Sequence, residues 1–227
     1  MIRPVCLLLG LGALLSLAPP AISQITSSNE GYLFRMKFKQ GSHTHYRMQT
    51  HVSLGQSRQV LTGASSNLID LVVKRVDSAV TTIEMTDSIE QRRAKPRRIS
   101  TRTITVDPLG KVDGKPLGGA VFSMVLPEKP VKVGQSVTIR LSGAEGSGEV
   151  VHHILQFVGV QMVDKLRVAH WKLTTAGKGV AQYKGEGDLF FDMTDCSLYR
   201  SMVVLQAPIE QEGKTQRLVS TTEIKRL

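Results

Sequence analysis

Cysteine is nearly absent from this 227-residue chain, with Cys6 and Cys196 the only two. Cys6 opens an apolar N-terminal run, so everything beyond that run carries one thiol and can close no internal disulfide. Long hydrophobic stretches are equally scarce. The only continuous one, residues 5–17, falls short of the roughly 20 residues that span a bilayer, which excludes a polytopic membrane protein. Aromatics make up 5% and charged residues 21%, while 41% of the chain is hydrophobic. That apolar share builds a core and excludes full-length disorder. Outside the N-terminus no window longer than ten residues shows a 3.6-residue apolar stripe. Long helices, and folds that depend on them, are therefore not expected.

What is present begins with a three-part export signal. Met1, Ile2 and Arg3 give a short positive start, residues 5–17 are apolar, and Pro19-Pro20 precedes the small-residue site Ala21-Ile22-Ser23. Cleavage is expected between Ser23 and Gln24. Lipoprotein processing needs a cysteine at the end of the apolar run, and Cys6 lies at its beginning. The mature chain is thus expected to be secreted or periplasmic, with no transmembrane span after signal cleavage. It is also basic: Lys+Arg 29 against Asp+Glu 19 gives the full chain a formal charge of +10.

From residue 32 the pattern has period two. Tyr32, Phe34, Met36 and Phe38 alternate with Leu33, Arg35 and Lys37. After the turn at Gly41, Tyr46, Met48 and Val52 share one face, and His43, His45, Arg47, Gln49 and His51 share the other. The two segments read as an antiparallel hairpin with one buried and one cationic face. Further strands are expected at 67–76, 80–87, 99–106, 121–126, 136–141, 149–160, 166–175, 187–192, 197–206 and 216–224. A helical turn near 115–124 is opposed by Gly118-Gly119. Turn chemistry separates the strands: Asp107-Pro108-Leu109-Gly110, then Asp113-Gly114. A proline-stiffened stretch, Leu126-Pro-Glu-Lys-Pro-Val-Lys-Val-Gly-Gln135, reads as a crossover. The expected fold is all-β: an antiparallel curved sheet, half-barrel or flattened barrel over residues 24–227, a single domain with a faint repeat of pattern between two halves joined near 126–136.

The first hairpin with its Gly41 turn, the D-P-L-G reversal at Asp107, the L-P-E-K-P-V-K-V-G-Q crossover and the G-E-G-D-L-F-F-D segment at residues 185–192 resemble a group of exported bacterial proteins of unknown function. The G-x-G-x-x-x-F-D pattern and the reversal after it also resemble the curved antiparallel sheet of lipoprotein carriers. The resemblance spans most of the mature chain and implies a fold and an envelope address. Each motif is a turn or a strand start, so it transfers no reaction.

Catalytic and metal constellations are poorly supported. His43 and His45 project from one strand face, but His51 lies roughly 26 Å from His43 along it, too far for one ion. His152 and His153 point to opposite faces, and His170 adjoins Trp171. No G-x-S-x-G elbow is present, and the glycines of residues 142–148 lack the Lys-Ser/Thr of a nucleotide loop. Cys196 reads as a buried thiol near Phe190, Phe191 and Leu198. Glu186, Asp188 and Asp192 share one face of an extended strand and read as solvated groups and turn caps. We expect no enzyme, no cofactor and no metal.

Two weaker features point to binding. Arg92, Arg93, Lys95, Arg97, Arg98 and Arg102 crowd one segment, read as an exposed loop that is either simply solvated or in contact with an anionic envelope polymer or lipid headgroups. Nucleic acid is disfavoured, because no aromatic is interleaved there. The expected core is Tyr32, Phe34, Met36, Phe38, Tyr46, Met48, Leu71, Val73, Ile83, Met85, Phe157, Trp171, Leu173, Phe191 and Val204. Within it, Phe34, Met36, Phe38, Met48 and Met85 form an apolar face that either packs as core or holds an apolar, lipidic ligand. The sequence thus points to a non-enzymatic secreted or envelope β domain. The alternative is a structural or assembly protein meeting anionic partners through its basic residues, including the face of Arg35, Lys37, His43, His45 and Arg47.

Overall fold

The computed structural model describes residues 25–227 except 57–58, 92–94, 115–124, 143–149, 179–182 and 212–213. The N-terminal signal, the 115–124 turn and the start of the strand expected at 121–126 fall outside the described residues, and 125–127 have no regular structure. Among the described residues there are twelve strands: β1 Ile25–Ser28, β2 Gly31–Phe34, β3 His43–Gln56, β4 Gln59–Val76, β5 Thr81–Ile89, β6 Arg97–Val106, β7 Ser136–Ser142, β8 Val150–Val163, β9 Leu166–Lys178, β10 Tyr183–Asp192, β11 Leu198–Gln211 and β12 Lys214–Arg226. No helix occurs among the described residues. The chain is all-β, as its alternation demands.

Ten strands form one antiparallel sheet in the order β6-β5-β4-β3-β12-β11-β10-β9-β8-β7, and β1 and β2 form a separate pair. β6 and β7 are the two edges, so the sheet is open and not a closed barrel. The strands are consecutive neighbours except where β3 meets β12, which joins the halves on either side of the crossover. Laid flat, ten strands would be roughly 43 Å wide at about 4.8 Å per step. Yet Ile83 and Ile104 from one end share a core cluster with Leu155 and Phe157 from the other. The sheet must curl around that core.

The turns follow local rules. Asp164 and Lys165, with φ of 49° and 67°, make the two-residue reversal between β8 and β9. At 107–110, the Gly110 N–H donates to Asp107 O at 3.0 Å, the Leu109 N–H donates to Asp107 Oδ1 at 2.9 Å, and Gly110 takes φ of 84°.

The expected hairpin between 32–38 and 43–52 does not form. β2 pairs with β1, and β3 lies between β4 and β12. Residues 35–39 leave the ladder: the Met36 N–H donates to Pro108 O at 2.8 Å and the Lys37 N–H to Asp195 O at 3.0 Å. Period two here marks an extended strap that crosses the inside of the sheet. Its Phe34 ring lies 5.2 Å from Phe157 and 4.9 Å from Trp171, with Tyr32 5.1 Å from Phe157. Tyr32 and Val131 exchange both backbone hydrogen bonds at 2.9 Å, so the crossover closes over the strap.

Most of the expected core is buried, while Tyr32, Phe38 and Met48 are partly buried against it. Val204 is the exception. Its directly opposed partners Glu186 and Thr221 share its face, and Val203 packs on the core instead. Inward positions on β11 are therefore the odd-numbered ones, such as Ser201 and Val203.

Candidate functional site

The five residues of the proposed apolar face are distributed through the interior. Phe34, Met36 and Met85 are buried, and Phe38 and Met48 pack against them. The space they border is occupied by the strap and crossover, so this end of the curl is a packed core. Of the basic segment, Arg92 and Arg93 lie outside the described residues, and Lys95 is exposed. Arg97 and Arg98 do not sit in a loop. They pair with Ile89 and Ser88 as the first residues of edge strand β6, whose positions 97–103 are all exposed.

The cationic face of the strap and β3 is largely spent. Arg35 donates to the carbonyls of Pro127 at 2.9 Å and Glu128 at 2.6 Å. Arg47 pairs with Glu90 at 3.0 Å, and His45 Nδ1 lies 2.6 Å from Asp70 Oδ1. The hydroxyl of Ser66 and the Arg47 guanidinium, outweighing desolvation between them, hold the Glu90 carboxyl below its usual range. Lys37 and His43 remain exposed.

Several other chemistry-bearing groups among the described residues are engaged as well. His170 Nε2 lies 2.6 Å from Asp188 Oδ1, with its ring stacked 4.6 Å from Phe190. Asp192 turns away from the row of Glu186 and Asp188 to meet Arg226 at 2.5 Å, which dissolves the carboxylate row read from the sequence. Cys196 is fully buried, and burial pushes its thiol well above the usual range. Among the described residues no group of His, Cys, Asp and Glu could hold a metal ion.

The open space lies at the other end of the strands. The inward rows continue past Trp171 and Leu189. One row runs Leu155, Leu173, Gly187, Val203, Thr222 and Thr50. The next runs His153, Thr175, Gly185, Leu205, Ser220 and Val52. Glycine is required in this region because neighbouring backbone at Gly187 and side chains at Gly185 occupy the space a Cβ would take. A Cβ on Gly187 would stand 2.9 Å from Val203 Cα, and one on Gly185 would stand 2.7 Å from Thr175 Cγ2. The G-x-G of the sequence therefore lets the neighbouring strands approach β10 closely. Thr175 is 4% exposed, and its hydroxyl has no hydrogen-bond partner. His153, directly opposite, is half-buried, and desolvation lowers its pKa, which favours the neutral imidazole.

Beyond these rows, between the β9–β10 and β11–β12 hairpins, a depression of about 610 Å³ is lined by Ala176, Gly177, Tyr183, Lys184, Gln206, Ala207, Pro208, Thr215, Gln216 and Arg217. The Tyr183 ring lies across Gly177, where a Cβ would overlap it. Arg217 Nη2 donates to Gln206 Oε1. Sequence reasoning missed this site. Its only advance signal was the small residues Ala176, Gly177 and Ala207 near hairpin ends, which alternation alone reads as weak strand.

No family model and no curated protein matches the chain. Among solved structures it is similar to a "putative exported protein with YmcC-like fold" from Bacteroides fragilis, with a TM-score of 0.41 and 11% identity, over 86% of this chain and 99% of that one.

Proposed function

We propose that the chain is an exported, non-enzymatic β module that holds an apolar or lipidic ligand, seated in the depression between the β9–β10 and β11–β12 hairpins. The depression carries this reading: about 610 Å³ with Ala176, Tyr183, Ala207 and Pro208 in its lining is a volume and a surface suited to a small apolar molecule. Secretion or a periplasmic address is supported by the signal layout of residues 1–23. The non-enzymatic part is supported by how the reactive groups are spent. His45 and His170 are each held by an aspartate, Asp192 is paired with Arg226, and Cys196 is sealed. The test is native mass spectrometry and solvent extraction of the exported protein, together with titration of the apolar dye N-phenyl-1-naphthylamine. A co-purifying apolar molecule or saturable dye binding is expected. A protein that holds neither overturns the reading.

One observation favours the assembly alternative. Edge strand β6 exposes Arg97, Arg98 and Arg102 together with Ile99, which is 55% exposed. An edge of this kind can meet an anionic envelope polymer. Binding to anionic vesicles or cell wall that weakens with salt, and with Arg97→Gln and Arg98→Gln, would support it. Unchanged retention in the double variant would sink it.

A further inference from the structure

The depression has a polarity that an apolar seat does not require. Its described lining contains two cations, Lys184 and Arg217, and no carboxylate. Lys184 stands directly across from Ala176 on β9 and Gln206 on β11, and Arg217 stands across from Pro208. Since Arg217 donates to Gln206, the three polar side chains form a band over neighbouring strands on the outward face, with Ala176 and Pro208 beside it, while Tyr183 and Ala207 line the depression from the inward face. Glu186 and Glu210, further along the same strands, are not in the lining. Both cations are exposed, so each can turn toward a bound anion without first being desolvated. The excess of basic residues over the whole chain adds to the attraction.

We propose that the depression takes a single-chain anionic amphiphile, a fatty carboxylate whose head is held by Lys184 and Arg217 and whose chain passes Ala176 and Pro208 into the gap lined by Tyr183 and Ala207. This inference rests on the binding reading above and adds the ligand's charge to it. A carboxylate accepts from ammonium and guanidinium groups through charge-assisted hydrogen bonds, while an alcohol of the same chain length offers the site only a weak dipole. A two-chain phospholipid would bring more apolar bulk than a depression of this volume covers.

The test is displacement of N-phenyl-1-naphthylamine from the exported protein by laurate and by 1-dodecanol, with phosphatidylglycerol vesicles and inorganic phosphate as further competitors. Variants Lys184→Gln, Arg217→Gln and the double variant are compared with Lys132→Gln, and thermal unfolding confirms the fold of each. Laurate is expected to displace the dye at a concentration about tenfold lower than dodecanol, and the double variant to lose that preference while still binding dye. Lys132→Gln should behave as the parent. Equal displacement by laurate and dodecanol, with dye bound, overturns the carboxylate inference and leaves the apolar seat standing. So does displacement by vesicles or phosphate alone. Failure of the dye to bind removes the seat itself.

Discussion

Arg226 Nη2 lies 2.5 Å from Asp192 Oδ2, and the pair ties the last turn of chain in β12 to the reversal between β10 and β11. The same guanidinium donates to Ser197 Oγ at 2.8 Å, while Asp192 Oδ1 accepts the Thr194 N–H at 2.8 Å. With side chains 20% and 7% exposed, removing one partner strands the other. Arg226→Met should therefore cost about 3 kcal/mol in urea unfolding, and Asp192→Asn combined with it should cost less than the sum of the two.

The pH dependence of that deficit has a definite sign. Burial alone pushes the Asp192 carboxyl up, and the Arg226 and Thr194 hydrogen bonds outweigh it, holding the carboxyl below its usual range. A depressed folded-state pKa contributes stability that is complete above the unfolded value, roughly 3.9, and fades as pH falls through the folded one. In Arg226→Met the burial is uncompensated and the carboxyl rises. The gap between parent and variant should then narrow below about pH 4, as read from urea midpoints at pH 7 and pH 3. A gap of constant size would show that the pair carries no such charge coupling.

The glycines of β10 make a graded prediction. A Cβ on Gly187 meets backbone, Met202 O and Val203 Cα, which cannot yield without breaking the ladder. On Gly185 the nearest atoms are Leu205 Cδ2 and Thr175 Cγ2, both ends of side chains. Gly187→Ala should destabilise by about 3 kcal/mol and Gly185→Ala by about 1 kcal/mol, measured by chemical denaturation. An equal cost at both positions would contradict the close approach of β10 and β11 at Gly187.

Much of this architecture was legible in the alternation of single residues. Tyr46 and Ile224 fall inward, and His45 and Lys225 fall outward, as period two requires. What alternation cannot encode is partnership. The strap of Phe34 and Met36 has the same period as a sheet strand, because an extended chain crossing a core also buries every second side chain. Only long-range bonds, from Met36 to Pro108 and from Tyr32 to Val131, decide between the two. The basic segment misled for a related reason. Dense charge suits any exposed backbone, and the solvent edge of a sheet is as exposed as a loop. The depression was invisible because its residues meet from four strands, and small side chains at hairpin ends carry no pattern of their own.

Cys196 should be chemically silent in the folded protein. Its thiol is fully buried, and desolvation, aided by the charge of Asp195, pushes its pKa far above the range in which a thiolate forms at neutral pH. A disulfide reagent such as DTNB is expected to release no colour from the native mature protein at pH 8 and one equivalent after urea unfolding. Prompt reaction in the native state would mean that the reversal at 193–197 opens readily.

Thr175 tests whether the inner face beyond the strap is dry. Its methyl stands over Gly185, and its hydroxyl, on a residue 4% exposed, has no partner. A buried hydroxyl without a hydrogen bond costs free energy, and replacing it by a methyl of similar shape removes that cost without opening a cavity. Thr175→Val should thus stabilise the protein by about 1 kcal/mol. Thr175→Ser, which keeps the hydroxyl and loses the methyl, should destabilise it by a similar amount. The two substitutions separate packing from polarity at one position. Should Thr175→Val instead weaken the fold, the hydroxyl must bind water or the neighbouring imidazole of His153, and the face next to the depression would then be wet.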